Sequence, residues 1–577
     1  MPKSTLTRRE VLQMMGGASV LPLISRFGRS TTREKPDILY IVSDDHAAHA
    51  LSCYGSRINR TPGMDRLSKE GMRFDNGFVI TSLCAPSRAT VLTGKYPHLH
   101  GQTGNGGTFD GSQQTFPKML QAAGYEIAVI GKWHLRSEPT GFDHWEVLPG
   151  QGRYHSPGFT RNGMGTSYQG YVSDVITDLA VEYMNSRDGE RPLFLMVSHK
   201  APHRSWLPPD RYRTLYEGMN FPEPETLFDN HATRSSALKQ INMHLSDIPE
   251  YSAPPDLAQE DQLRHIYQQF IRQYVRTVKA LDENIARLLS YLDERGMTET
   301  TLVLYTADNG LYLGDHGWYK KSYMYEQALR VPFLVRYPQE IPAGGSRDEM
   351  VLNLDLARTF LDFAGVIPPD SVQGRSIRSL LQGEEVQDWR TAMYYSYPSY
   401  GPYNARPNYG LRTGRYKLIR YPSYGGWDEE WELFDLERDP HEMRNLYHRP
   451  EYLDIRRAMI HELNRHREEA GQQSPTSVMH EKGSDRMGYL RQNVPNPFNG
   501  ATTVRFHLPE SGPVNLSIYD LSGRTVQILL RKHMDSGEHS VKWTGNTRSG
   551  GQAPSGIYYC RLNFSTQQEQ ITMTYLK

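Results

Sequence analysis

The chain has 577 residues, enough for two or three domains and a large buried core. Its 65 Lys and Arg balance 65 Asp and Glu, and no basic stripe runs along any segment, which argues against nucleic acid as a partner. Three cysteines, Cys53, Cys84 and Cys560, are too few and too scattered for a disulfide framework or a zinc site. No run of about 18 apolar residues occurs, so no membrane span is expected.

The first segment, Thr7-Arg8-Arg9-Glu10-Val11-Leu12, is followed by a short apolar stretch from Met14 to Ile24. Gly16, Gly17 and Pro22 break the periodicity of an amphipathic helix, so residues 1–34 read as a twin-arginine-like export signal. It carries no lipobox cysteine, and the mature start falls between Ser25 and Pro36. The expected location is outside the inner membrane, secreted or on the cell surface.

Asp37 to Ser43 is a nearly continuous apolar run, as a central parallel strand requires, and it ends in Asp44-Asp45-His46. A helical pattern from Phe116 stops at Gly124, and a strand from Tyr125 to Ile130 then ends in Gly131-Lys132-Trp133-His134. The strand Leu193 to Ser198 runs into His199-Lys200-Ala201-Pro202-His203. Ile266, Phe270, Tyr274, Val278, Leu281, Ile285, Leu288 and Leu292 mark the longest helix, and the strand Thr301 to Thr306 ends in Ala307-Asp308-Asn309. This alternation predicts an α/β domain over 35–375, with a large mixed, mostly parallel sheet flanked by helices.

A helix from Asp355 to Ala364 follows, and the composition changes after about Ser376. Aromatic-rich strands at Met393–Tyr397, Tyr409–Tyr421 and Glu432–Leu436, a helix start at Asp439-Pro440 and a helix over Glu451–Glu469 predict a smaller α+β subdomain over 376–470. Residues 471–491 read as a linker. From 492 onward, Val504/Phe506/Leu508, Val514/Leu516/Ile518 and Val541/Trp543 alternate between turns, as in a small β-sandwich.

Four strands release polar clusters at their carboxyl ends, where open α/β sheets bind ligands. Asp44, Asp45, Asp308 and Asn309 offer only oxygen, which suits a hard cation, calcium first and magnesium second. Lys132 and His134 lie two apart at a strand end and share a face. Between these clusters runs Cys84-Ala85-Pro86-Ser87-Arg88-Ala89-Thr90-Val91-Leu92-Thr93-Gly94. Pro86 fits a first helical turn, so Cys84 falls at a helix N-terminus that favours an anion.

This string resembles the signature of the type I sulfatases, whose cysteine becomes Cα-formylglycine (3-oxoalanine). Gly131-Lys132-Trp133-His134, Ala201-Pro202-His203, Lys321 five residues before Glu326, and the late Glu432-Leu433-Phe434-Asp435-Leu436 element extend the resemblance over about Pro36 to Leu446. Lys320, next to Lys321, competes for the lysine position. The resemblance implies an alkaline-phosphatase/sulfatase-like fold and a cation held by Asp44, Asp45, Asp308 and Asn309 with modified Cys84. It also implies that Arg88 and Lys132 steady the hydrated aldehyde, that His203 with Lys321 protonates the leaving oxygen, and that His134 acts as a base. A sulfated carbohydrate, of glycosaminoglycan or algal (ulvan-like) type, and a formylglycine-generating maturation enzyme are the implied partners. His199, Arg204, Trp206 and His316 are candidate sugar contacts. A phosphonate or phosphodiester hydrolase and an inactive glycan-binding relative are the alternatives.

The pieces Asn493-Val494-Pro495-Asn496-Pro497-Phe498-Asn499, Ile518-Tyr519-Asp520-Leu521-Ser522-Gly523 and Pro554-Ser555-Gly556-Ile557-Tyr558-Tyr559 resemble the C-terminal sorting domain of type IX secretion. That resemblance implies the secretion machinery as a partner. A carbohydrate-binding sandwich is the competing reading.

Overall fold

The computed structural model describes residues 35–239, 241–398, 404–423, 427–472, 490–508, 511–520, 523–564 and 567–577. The export-signal expectation and nearly all of the linker expectation lie outside the described residues. The chain divides into two compact units, with the boundary at 476/477.

The first unit is built on a ten-stranded sheet of order β11-β2-β10-β9-β1-β8-β4-β5-β6-β7. These strands are β1 (Asp37–Ser43), β2 (Met72–Phe74), β4 (Glu126–Lys132), β5 (His144–Leu148), β6 (Gly158–Arg161), β7 (Met164–Ser167), β8 (Leu193–Ser198), β9 (Thr301–Ala307), β10 (Phe333–Arg336) and β11 (Gly345–Arg347). The five central strands β9, β1, β8, β4 and β5 run parallel, and antiparallel partners close both sides. A separate parallel pair joins β3 (Gly77–Phe78) and β12 (Val351–Leu352).

The apolar run of β1 is divided residue by residue between two helical layers. Ile38, Tyr40 and Val42 pack with α2 (Cys84–Thr93), α3 (Phe116–Ala122) and α6 (Leu356–Phe363). Leu39 and Ile41 pack with α1 (Pro62–Glu70), α4 (Val172–Ser186) and α5 (Gln259–Glu294). A strand covered on both faces needs apolar side chains at every position, and that is why β1 shows no alternation. The mixed, mostly parallel sheet expected from the sequence is the observed one.

Beside it stands a four-stranded antiparallel sheet of β13 (Ala392–Tyr397), β14 (Asn408–Thr413), β15 (Tyr416–Tyr421) and β16 (Glu430–Asp435), packed on α7 (Leu453–Glu469) and on the first half of α5. One expectation fails here. Asp439-Pro440 does not start a helix, because Glu442 turns to φ 55° and sends its buried carboxylate to Lys417, 2.7 Å away. Asp439 instead accepts from the amides of Met443 and Arg444, closing a turn.

The second unit is a β-sandwich. A three-stranded sheet of β17 (Leu490–Val494), β18 (Thr502–Leu508) and β21 (Gly537–Trp543) faces a four-stranded sheet of β19 (Gly512–Tyr519), β20 (Thr525–Met534), β22 (Gly556–Phe564) and β23 (Gln567–Tyr575). Inward residues of both sheets, among them Phe506, Leu516, Trp543 and Cys560, form one core.

Candidate active site

The parallel strands β1, β4, β8 and β9 all end at one rim of the sheet, and their carboxyl-terminal loops meet the first turn of α2 there. Helix α2 is buried along its whole length, and Leu83 provides no side-chain cap. Uncapped amides at that end favour an anionic or strongly polar group at position 84. Cys84 is 1 % exposed, its Sγ 3.5 Å from Asp44 Oδ1 and 3.9 Å from Asp45 Oδ1. Burial, with Asp44 and Asp308 adding to it, pushes the thiol well above its ordinary range.

Asp44, Asp45, Cys84 and Asp308 each bring a ligand atom into a space where all lie within 4.8 Å of one another. Asp45 adopts φ 62°, a left-handed turn that short acidic side chains tolerate, and its amide donates to Asp308 Oδ1 at 3.1 Å. Asn309 Nδ2 donates to Asp45 Oδ1 at 2.6 Å and to Asp308 Oδ1 at 3.0 Å. Its own carbonyl oxygen Oδ1 is buried without a hydrogen-bond partner. Three crowded carboxylates, beside an amide that would offer its oxygen to them once turned over, form an oxygen set that fits a hard divalent cation.

Cations surround these carboxylates. Arg88 Nε lies 2.9 Å from Asp308 Oδ2, and its NH1 donates to Lys132 O at 2.8 Å and Ser198 Oγ at 2.7 Å. Lys132 pairs with Asp44 and Lys321 with Asp45, all four side chains being buried. Burial would raise the Asp44 carboxyl, but Lys132, His203, Arg88 and Lys321 outweigh it and hold it well below its usual range. Asp308 is pushed up to about 7, by burial first and then by the Asp44 charge.

Both histidines stand at this rim. His203 Nε2 lies 3.6 Å from Asp45 Oδ2, while its Nδ1 is 2.8 Å from Arg204 O. His134, at φ 61°, is brought down to about 3, by burial and then by Lys132. Lys320 is turned elsewhere, its Nζ 3.2 Å from Asn242 O, so Lys321 is the lysine at the carboxylates.

The sugar-contact candidates behave differently. His199 is wholly buried under the sheet end, Trp206 packs on Phe270 at 4.7 Å, and His316 bonds Asp229 Oδ2 at 2.8 Å in an aromatic cluster. These three are core residues and do not offer a face to a sugar. Arg204 reaches solvent and holds Glu250 through three bonds of 3.1, 2.9 and 2.7 Å.

Three site residues escaped sequence reading. Gln151 accepts from Lys132 Nζ at 2.6 Å and reaches His134 Nε2 at 3.0 Å. Tyr154 donates from its hydroxyl to His203 O, and Lys200 lies over the Tyr154 ring at 4.8 Å. Gln151 sits between Gly150 and Gly152, both at positive φ, and that glycine pair was the available signal for a tight functional loop.

Residues 36–366 match the sulfatase family model. The chain belongs to the sulfatase family. It is a sulfuric ester hydrolase, and two further matches cover its remaining parts: the C-terminal region of N-sulphoglucosamine sulphohydrolase over 314–469, and an FlgD Ig-like domain over 493–568. This sulfatase is 40 % identical over 471 residues to an N-acetylglucosamine-6-O-sulfatase of Bacteroides thetaiotaomicron, covering 73 % of this chain and 84 % of the relative. A ulvan-active sulfatase of Formosa agariphila is 28 % identical over 455 residues, covering 76 % and 82 %. The solved structure of BT4656 in complex with its substrate D-glucosamine-2-N,6-O-disulfate superposes with a TM-score of 0.74 at 38 % identity, covering 77 % of this chain and all of that one.

Proposed function

We propose that this sulfatase removes the 6-O-sulfate of an N-acetylglucosamine or N-sulfated glucosamine unit in a glycosaminoglycan-like carbohydrate. The observation that carries this reading is the 40 % identity, over 84 % of its length, to the N-acetylglucosamine-6-O-sulfatase. The ulvan-active relative, at 28 % identity, supports a sulfated algal polysaccharide as the second reading. A panel of 6-O-, 3-O- and N-sulfated glucosamines beside sulfated ulvan oligosaccharides, with Cys84→Ala as the control, separates the two. Release of sulfate from ulvan fragments alone would overturn the first.

For the chemistry, position 84 works as formylglycine made from Cys84 by a maturation enzyme. One hydroxyl of its hydrate passes its proton to Asp308 and attacks sulfur, the bond from sulfur to the sugar oxygen breaks, and His203, beside Lys321, gives that oxygen its proton. The second hydroxyl then gives its proton to His134, the carbonyl re-forms, and sulfate leaves with the electrons of the broken C–O bond. Arg88 and Lys132 stabilise charge on the oxygens. Asp44, Asp45, Asp308 and Asn309 would hold a calcium or magnesium ion, which supplies charge neutralisation for the sulfate. Every one of these positions carries a competent residue, which weighs against an inactive glycan-binding relative.

The Ig-like match at 493–568 supports the reading of the terminal sandwich as a type IX sorting domain, and with it a secreted or surface location. Fractionation of cells that express the chain with and without residues 492–577 tests both.

A further inference from the structure

Three cations at the rim of the sheet are each spent on one carboxylate: Arg88 on Asp308, Lys132 on Asp44 and Lys321 on Asp45. Lys200 stands beside them on a different footing. It is 4 % exposed, yet among the described residues its ammonium meets no carboxylate, only the Arg204 carbonyl at 3.3 Å and the face of the Tyr154 ring at 4.8 Å. Burying a charge is costly unless an opposite charge meets it. An ammonium carries three N–H donors, and one long bond to a carbonyl with one ring face leaves at least one of them unspent. Burial and then the Lys132 charge bring the group down to about 8, with Asp44, Asp45 and Cys84 acting against them, so Lys200 remains a cation at neutral pH.

The surroundings put this charge beside the reacting groups. Lys200 lies two residues past Ser198, whose hydroxyl receives an N–H of Arg88 at 2.7 Å. Arg204 O, the carbonyl it meets, also faces Nδ1 of His203 at 2.8 Å, and the Tyr154 ring beneath it carries the hydroxyl that holds His203 O. The turn itself does not need the ammonium, because the His203 amide closes it on Lys200 O at 3.0 Å.

We propose that Lys200 is a sulfate contact, whose ammonium takes a non-bridging oxygen of the ester during attack and holds the inorganic sulfate until it leaves. The sulfate then supplies the opposite charge that the chain withholds from this lysine, through a charge-assisted hydrogen bond. The inference rests on the sulfatase reading for the ester, but inorganic sulfate can be titrated whatever the sugar is.

The test uses the full chain loaded with calcium and titrates inorganic sulfate by calorimetry, beside turnover of 6-O-sulfated and doubly sulfated glucosamine. Lys200→Met keeps the packing on Tyr154 and removes the charge. It is expected to weaken sulfate binding about tenfold or more and to lower kcat/KM on both sugars by about 100-fold. Its melting temperature should hold or rise, since a buried unpaired charge is gone, and Lys200→Arg should recover most of the sulfate affinity. If the methionine variant does not fold, Lys200→Gln takes its place in the same titration. Sulfate binding within twofold of wild type in the folded neutral variant overturns the proposal, whatever happens to turnover. So does a loss confined to the doubly sulfated sugar, which would put the ammonium on a second sulfate. Were no sugar turned over while the neutral variant still lost sulfate, the sugar reading would fail and the sulfate contact would stand.

Discussion

Cys84 is enclosed by the groups that would use it. Cys84→Ala is expected to abolish sulfate release while leaving the melting temperature near wild type, since only a buried sulfur is lost. Peptide mass analysis of natively produced protein should find an aldehyde at position 84, and an unmodified thiol there would sink the formylglycine mechanism. Asn309 offers a second test, because its amide lies against Asp45 and Asp308, where turning it over would present Oδ1 to an ion. Asn309→Ala is expected to weaken calcium binding about tenfold or more in calorimetry, with the fold intact. Asp44, Asp45, Asp308 and Asn309 were legible because each directly follows an apolar strand, and a strand end fixes where its next residues project. Gln151 was not legible, since its reach depends on β5 lying beside β4. Trp206 and His316 misled for the same reason, because exposure is decided by what packs on them, Phe270 on Trp206 and the Trp318 and Tyr325 rings on His316, and not by their own polarity.

Among the elements, β4 carries the tightest constraint. Gly131 sits at φ 108°, and a Cβ there would lie 2.0 Å from Ser198 O on β8. Gly131→Ala is therefore expected to cost about 3 kcal/mol in a urea titration and to displace Lys132 from Asp44, lowering activity as well. The loop from Asp229 to Arg234 makes a different prediction. Burial alone would raise the Asp229 carboxyl, but the His316 bond, the His231 amide and the charges of His231 and Arg234 bring it down to about 2. A carboxyl depressed in the folded state stabilises fully above its unfolded pKa, 3.8, and loses that stabilisation as pH falls through about 2. About 2 kcal/mol should vanish across that window in the wild type, and Asp229→Asn should remove the slope. The strands β1, β4, β8 and β9 and the middle of α5 were legible from periodicity, whereas β5, β10 and α4 were not. The Asp439 turn was not, because the carboxylate that breaks the expected helix is held by a lysine from another strand.

On the scale of the whole molecule, two units with separate cores suggest separable tasks. A chain ended at residue 472 is expected to keep its hydrolytic rate within about twofold, since all described site residues lie before that point. Loss of activity in that truncation would assign the sandwich a part in catalysis. The mixed, mostly parallel character of the large sheet was legible because alternating strands and helices admit few topologies, whereas the seating of the smaller antiparallel sheet depends on aromatic packing that has no period in sequence. On the formylglycine reading, the carbonyl proposed for position 84 must also survive the amines around it, since a free amine and an aldehyde condense to an imine with loss of water. Lys132 and Lys321 are the amines nearest to hand, and each is ion-paired to a carboxylate, Asp44 and Asp45. An ammonium has no lone pair to attack with. The carboxylates that suit a cation thus also act as chemical guards, keeping the folded enzyme from cross-linking its own centre while it waits for substrate.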